Sequence, residues 1–212
     1  MTDTSANNKR IAKNTLLLYF RMLFMMAVSL YTSRVVLNAL GVEDFGIYNV
    51  VGGVVAMFSM LSGSLSAAIT RFITYELGKG NQENLKKIFS SSVTIQIGLA
   101  ILIIVVAEAI GVWFLNMKMN IPDVRITAAN WVFQFSILTF AVNLISVPYN
   151  ASIIAHERMS AFAYISILEA IGKLAIVFLI VISPMDKLIF YAILMCAVAL
   201  IVRLAYGVYC KR

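Results

Sequence analysis

Long apolar runs separated by short polar turns dominate the pattern of this chain. Six runs are long enough to cross a hydrocarbon core of about 30 Å, which takes roughly 20 helical residues. They cover about residues 15–38, 46–76, 88–115, 126–153, 160–183 and 187–209. The runs lack the two-residue alternation of barrel strands, and open sheet edges cannot be satisfied in lipid. The pattern therefore predicts an all-α, polytopic membrane protein, with a polar segment at 1–14 before a six-helix transmembrane bundle at 15–212.

The first two runs form the hairpin that sets the predicted topology. A turn bracketed by Gly41 and Gly46 separates them, and Arg21 and Arg34 interrupt the first run. A bare charge at the bilayer centre costs at least about 2.5 kcal/mol. We therefore expect a partner, water or a substrate at each arginine.

The composition and the placement of charge agree with a membrane protein. The chain is 61% hydrophobic and 13% charged, with a mean hydropathy of +0.91, which is far more apolar than an ordinary soluble domain. The net charge of +7 comes from basic residues dispersed at the ends of apolar runs, so nucleic-acid binding is not expected.

Ten basic residues lie at one set of predicted helix ends and four at the other, which predicts cytoplasmic termini by the positive-inside rule. The ten are Lys9, Arg10, Lys13, Arg71, Lys79, Lys86, Lys87, Arg158, Lys211 and Arg212, and the four are Arg34, Lys118, Arg125 and Lys187.

Polar residues form a stripe along the fourth predicted span. At 100° per residue they fall within an arc of about 80°. Such a stripe is not expected to face lipid, so it either forms hydrogen bonds between helices or lines a hydrated cavity. Its members are Ser136, Thr139, Asn143, Ser146 and Asn150.

Four further charged residues lie inside predicted spans. Glu169 and Lys173 are four residues apart, in the favoured order for a helical ion pair. Lys173 is therefore either neutralised by Glu169 or held ready for an anionic substrate. Glu108 lies towards the outer end of its span, where a carboxyl group reaches the interface, is protonated or binds an ion. Arg203 is near enough to the end of the sixth span to extend partway to the interface.

Sequence motifs for ATP hydrolysis, metal binding and nucleophilic catalysis are absent. The chain has no Gly-x-x-x-x-Gly-Lys-Ser/Thr, His-Glu-x-x-His, Cys-x-x-Cys or Gly-x-Ser-x-Gly sequence. His156 has no second His or Cys nearby, so we expect no metal and no cofactor. A helical bundle with buried cations and polar stripes indicates a binding cavity or pathway for an anionic compound rather than an enzyme.

Four segments carry a resemblance to a known family: 13–15, 34–48, 68–72 and 154–159. The most specific is the Leu-Gly-x-x-Asp-Phe-Gly turn within 34–48. With these segments in their helical context, nearly the whole chain resembles the N-terminal six-helix lobe of the polysaccharide and O-antigen flippases. That family belongs to the superfamily of multidrug, oligosaccharidyl-lipid and polysaccharide exporters.

The resemblance implies a function, a location and partners. Two six-helix lobes would surround a central cavity that alternates between inward-open and outward-open states. The substrate would be an undecaprenyl-diphosphate-linked oligosaccharide, moved across the bacterial inner membrane for polysaccharide or lipopolysaccharide synthesis. The implied partners are this lipid-linked oligosaccharide, membrane lipid and a second lobe or homodimer partner, because six helices make only one lobe.

The resemblance also implies that cationic side chains meet the diphosphate. Arg21 and Lys173 are favoured because their depth is hardest to explain by extension to the interface. The full set of candidate substrate-binding residues is Arg21, Lys173, Arg34, Arg71, Arg203, Asn143 and Asn150, and the candidate ion-coupling residues are Glu108 and Glu169. Two other functions fit the sequence: a cation-coupled multidrug exporter, which would use these acidic residues, and a membrane scaffold that does not transport.

Overall fold

The computed structural model describes residues 2–119, 121–183 and 186–211. These residues form seven α-helices and one π-helical segment, and no strand. The α-helices are α1 (Thr2–Ala56), α2 (Ser59–Lys79), α3 (Gln82–Val106), α4 (Val112–Met117), α5 (Asp123–Ala155), α6 (Met159–Ile182) and α7 (Lys187–Lys211). The π-helical segment, Ala107–Gly111, joins α3 to α4.

Five stretches of the described chain are long and apolar enough to cross a membrane. They are Ala12–Ala56, Gln82–Met117, Asp123–Ala155, Met159–Ile182 and Lys187–Cys210. The sequence-based prediction of an all-α, polytopic membrane protein is therefore confirmed.

A single glycine divides α1 into two helical arms, 2–40 and 42–56. Gly41 has φ 84° and ψ 168°, a conformation that is essentially restricted to glycine. Helical residues resume directly after it, and Glu43 and Asp44 occupy the first turn of the second arm. Carboxylates are favourable there because of the helix dipole. The predicted turn around 41–46 is thus a kink at one residue.

The segment predicted as a second span, 46–76, is divided in the structure. The second arm of α1 ends at Ala56, residues 57–58 form a turn, and α2 begins at Ser59. The Ser59 hydroxyl donates a hydrogen bond of 2.6 Å to the Ala56 carbonyl oxygen across this turn. Glycines at 52 and 53 precede the break, and each weakens a helix interior by about 1 kcal/mol.

Helix α5 is the centre of the bundle. It packs against α1, α2, α3 and α7, and 56% of its most apolar window is buried, against 11% for α1. Phe133 of α5 fills the space beside Gly111, where an added Cβ would lie 2.2 Å from the Phe133 Cζ. The central helix therefore carries the side chains around which the others are arranged.

The two ends of the bundle differ in charge. We call one end the kink end; it contains Gly41 and the first turns of α5 and α7, which Arg125 joins. We call the other end the basic end; it contains the α2–α3 turn at 80–81 and the α5–α6 turn at 156–158. Lys79, Lys86 and Arg158 lie there. Arg212, assigned to the cytoplasmic ends from sequence, lies outside the described residues.

Candidate functional site

Arg21 joins α1 to α6. Its Nε donates a hydrogen bond of 2.6 Å to the Ser166 Oγ, and its guanidinium carbon lies 4.1 Å from the centre of the Phe162 ring. The side chain is only partly buried. A guanidinium has five N–H donors, and the hydrogen bond to Ser166 is the one that Arg21 makes within the described residues. The remaining donors are available to an anion.

Lys173 forms the ion pair that its spacing from Glu169 predicts. The Lys173 Nζ lies 2.7 Å from the Glu169 Oε1, and about a third of each side chain is exposed, 31% and 32% respectively. The ammonium group has three donors, so the pair neutralises the lysine without enclosing it. Lys173 remains able to contact a second anion.

Helix α7 carries a further cation, Arg203, which packs against α5. Tyr206 of α7 is buried in the same hydrophobic cluster as Phe162 and Ile165 of α6. One turn earlier on α7, the guanidinium carbon of Arg203 lies 3.8 Å from the centre of the Tyr149 ring, a favourable cation–π contact. We call Arg21 and, along one face of α6, Ser166, Glu169 and Lys173 the cationic cluster. It holds two cations and one carboxylate.

A cavity of about 190 Å³ lies between the second arm of α1, α5 and α7. Its lining includes three members of the polar stripe of α5. We call it the polar cavity, and Tyr48, Gly52, Ser136, Thr139, Asn143 and Met195 contribute to it. Since one water occupies about 30 Å³ of liquid, the space accepts several waters or part of a sugar. For Ser136, Thr139 and Asn143, lining of a hydrated cavity is therefore favoured over hydrogen bonding between helices.

The other two members of the stripe lie outside the polar cavity. The Ser146 hydroxyl donates to the Val142 carbonyl oxygen at 2.8 Å, within its own helix. The Asn150 Oδ1 is buried and has no hydrogen-bond partner among the described residues. Asn150 therefore retains an unused acceptor inside the bundle.

The remaining candidate residues lie apart from the cationic cluster. Arg34 of α1 and Arg71 of α2 are exposed, and neither forms an ion pair within the part of the chain that the structure describes. Glu108 lies in the π-helical segment, where its Oε2 accepts a hydrogen bond of 3.0 Å from the Gln134 Nε2. Single π-helical turns occur frequently at functional sites.

Sequence reasoning missed the ion pairs of Arg125. Its Nη2 lies 3.0 Å from the Asp44 Oδ2 and its Nη1 lies 2.6 Å from the Asp186 Oδ2. Asp44, the acidic residue of the Leu-Gly-x-x-Asp-Phe-Gly turn, is buried. We call these three residues the Arg125 bridge; it joins α1 and α5 to the start of α7. The available signal was that all three lie next to turns assigned to the same end.

No three His, Cys, Asp or Glu side chains gather into a possible metal site within the described ranges. The chemistry that the described side chains offer is thus cation-mediated contact in the cluster and neutral hydrogen bonding in the polar cavity.

Comparison with known proteins adds the family. Searches of curated proteins and of solved structures return no match. A family model described as "Polysaccharide biosynthesis protein" matches residues 11–212. This match spans nearly the whole chain and agrees with the resemblance found in its turn and helix-end segments. The chain belongs to the polysaccharide biosynthesis protein family.

Proposed function

We propose that the chain is one lobe of a flippase that moves an undecaprenyl-diphosphate-linked oligosaccharide across the bacterial inner membrane by alternating access. The observation that carries this proposal is the cationic cluster, with two cations and one carboxylate inside a membrane-spanning bundle. A charged group in such a bundle is expensive unless it is paired or functional. The family match supports a membrane transporter in polysaccharide synthesis.

Arg21 and Lys173 are the proposed diphosphate contacts. Arginine presents planar donors that match phosphate oxygens, and charge-assisted hydrogen bonds are about twice as strong as neutral ones. Arg21 keeps unused donors beyond its bond to Ser166. At Lys173, a phosphate competes with Glu169 for the ammonium group. The two cations of the cluster outnumber its one carboxylate, which disfavours export of cationic drugs. Arg203 is proposed as a further contact from its separate position against Tyr149.

The polar cavity is the proposed contact for the saccharide. Ser136, Thr139 and Asn143 offer hydroxyl and amide groups without charge, which suit the hydroxyl groups of a sugar. Asn143 is exposed, so it is accessible from outside the lobe. Asn150 offers a further acceptor deeper in α5.

The proposed orientation places the basic end in the cytoplasm. Lys79, Lys86, Lys87 and Arg158 at that end follow the positive-inside rule.

We further propose Glu108 and Glu169 as sites for a coupling proton or ion. Glu108 accepts only one hydrogen bond, from Gln134, among the described residues, which leaves carboxylate lone pairs for a proton.

The test of the cluster is binding of undecaprenyl diphosphate to the purified full chain in detergent, with undecaprenol as the uncharged comparison. We expect the diphosphate to bind more tightly. Arg21→Ala and Lys173→Ala should each weaken its binding about tenfold or more, the loss of one charge-assisted contact. Undecaprenol binding should not change.

Lys87→Ala is the matched control. Lys87 is an exposed lysine paired with Glu83 at 2.7 Å, and we expect its removal to leave diphosphate binding unchanged. Equal binding of diphosphate and undecaprenol, or unchanged affinity in the folded Arg21→Ala/Lys173→Ala double variant, would contradict the assigned site.

A further inference from the structure

Two adjoining cavities open at the basic end of the bundle. One has a volume of about 350 Å³ and lies between α2, α3, α5 and α7, and the other, of about 250 Å³, lies beside the α5–α6 turn. Both are lined by Ser152, His156 and Cys210. We call the two together the basic-end groove. It shares no residue with the cationic cluster or the polar cavity.

One wall of the basic-end groove is apolar. Ile73 of α2 and Leu85 and Phe89 of α3 contribute to it. The Phe89 ring packs edge-on against Tyr149, with ring centres 5.2 Å apart. This contact fixes the wall against α5, so the apolar surface is preformed.

The rim of the basic-end groove is cationic. Lys86 and Arg158 supply its charge, and both are exposed, as is His156 beside them. The His156 Nδ1 lies 2.8 Å from the Ser152 carbonyl oxygen, so Nδ1 carries the proton and Nε2 remains available. The Arg158 Nη1 donates a hydrogen bond of 3.5 Å to the Tyr209 hydroxyl oxygen, and a guanidinium stays charged in proteins.

Acidic side chains are absent from the lining of both cavities, as far as the described residues go. The nearest acid on α3, Glu83, is paired with Lys87 at 2.7 Å. The groove therefore combines an apolar wall with two basic residues, and Glu76, Glu83 and Glu157 do not line either cavity. That combination fits an amphiphile with an anionic head.

We propose that the basic-end groove binds the headgroup of an anionic phospholipid of the surrounding bilayer. Its phosphate would contact Lys86 and Arg158, and its acyl chain would follow the half-buried Leu85 and Phe89. Basic pockets between transmembrane helices on the cytoplasmic side favour such headgroups. A free phosphate ion would use the cations but not the apolar wall, so the bilayer lipid is the better fit. The proposal is independent of the saccharide substrate.

The test is the thermal stability of the full chain in neutral detergent during titration with phosphatidylglycerol. Phosphatidylcholine and inorganic phosphate are titrated in parallel. Because a ligand that binds only the folded state raises stability, we expect phosphatidylglycerol to raise the Tm and the other two to have little effect. In the Lys86→Ala/Arg158→Ala variant the apparent affinity should fall about thirty-fold, the combined loss of two basic contacts.

The matched control is Lys87→Ala. It removes the same charge one residue away, at a position that does not line the groove, so the affinity for phosphatidylglycerol should stay unchanged. Lys86→Glu, at an exposed position, is a second variant that should abolish the shift. Arg21→Ala should leave it intact, which separates this site from the proposed substrate site.

Several outcomes would overturn the proposal. An equal Tm increase with phosphatidylcholine would show a site for any lipid, and an equal effect of inorganic phosphate would show a small-anion site. An equal loss in Lys87→Ala would show attraction by overall charge. Displacement of phosphatidylglycerol by a lower concentration of undecaprenyl diphosphate would assign the groove to the transported lipid.

Discussion

Single residues determine where the apolar runs become helices and where they turn. Gly41 is exposed, and a Cβ built on it would meet no atom within 4 Å. Its importance is therefore in the backbone, since φ 84° and ψ 168° strain any residue with a side chain. Gly53, twelve residues later, is also exposed and has free space around it, but it is helical.

This contrast predicts opposite effects of the same substitution. Gly41→Ala should lower the free energy of unfolding by about 1–3 kcal/mol, because alanine resists the backbone conformation of the kink. Gly53→Ala should raise it by up to about 1 kcal/mol, because alanine favours a helix. Thermal unfolding of both variants in one detergent measures the difference. Equal stability of the two variants would show that the kink does not require glycine.

Within the site, the sequence predicted best the contacts between residues that are close together in one helix. The Glu169–Lys173 pair depends on a spacing of four within one helix, and it forms as expected. The partners of Arg21 were not predictable, because Ser166 and Phe162 lie 145 and 141 positions away in the sequence. Linear periodicity identifies the face of a helix but not the helix that it meets.

At the scale of elements, the Arg125 bridge connects three parts of the chain that local pattern treats separately. Asp44 follows the kink, Arg125 begins α5 and Asp186 precedes α7. The Asp186 Oδ1 also accepts a hydrogen bond of 3.0 Å from the Leu188 backbone N–H. The bridge therefore fixes the start of α7 as well as its neighbours. It gives the aspartate of the Leu-Gly-x-x-Asp-Phe-Gly turn a structural role.

Removal of Arg125 should destabilise the kink end more than removal of a neighbouring lysine. Arg125→Ala leaves the buried carboxylate of Asp44 without its partner, and we expect a loss of about 1–3 kcal/mol in unfolding free energy. The measurement is a double-mutant cycle of Arg125→Ala with Asp44→Ala, in which the double variant should lose less than the sum of the single variants. Additive losses would show that the two side chains are not coupled.

Lys187→Ala provides the control for the same end of the bundle. The Lys187 Nζ lies 3.4 Å from the Ala39 carbonyl oxygen, and the side chain is exposed. Its removal leaves no buried charge unpaired, so the loss should stay within about 0.5 kcal/mol. A loss equal to that of Arg125→Ala would point to general charge effects at the kink end.

Hydrophobic pattern predicted the apolar helices of the whole molecule but not their interruptions. The runs that became α6 and α7 were recognised with ends close to those observed, because apolar length decides a span. The turn at 57–58 was not recognised, since the apolar run continues through it. The π-helical segment was not recognised either. It arises from one additional residue in a helical turn, which does not change the hydropathy pattern.

The polar surface of the described bundle argues for a second lobe. Arg34 on α1 and Asn143 on α5 are exposed within membrane-spanning stretches, where lipid contact is unfavourable for both. Helix α1 is also the least buried of the five spanning stretches, at 11%. We expect a second lobe that packs against Asn143 to complete the polar cavity.

We expect flipping to require a second lobe, which the following measurement supplies as a second copy of this chain. In vesicles reconstituted over a range of protein densities, transport of a diphosphate-linked lipid should rise with the number of vesicles that hold two or more chains, because a single chain leaves the proposed cavity open. For a tandem fusion of two chains, transport should instead rise with the number of vesicles that hold one fusion protein. Efficient flipping in vesicles that contain a single unfused chain would contradict the need for a second lobe. That result would not affect the assignment of the cationic cluster, because diphosphate binding by the Arg21 and Lys173 variants tests it separately.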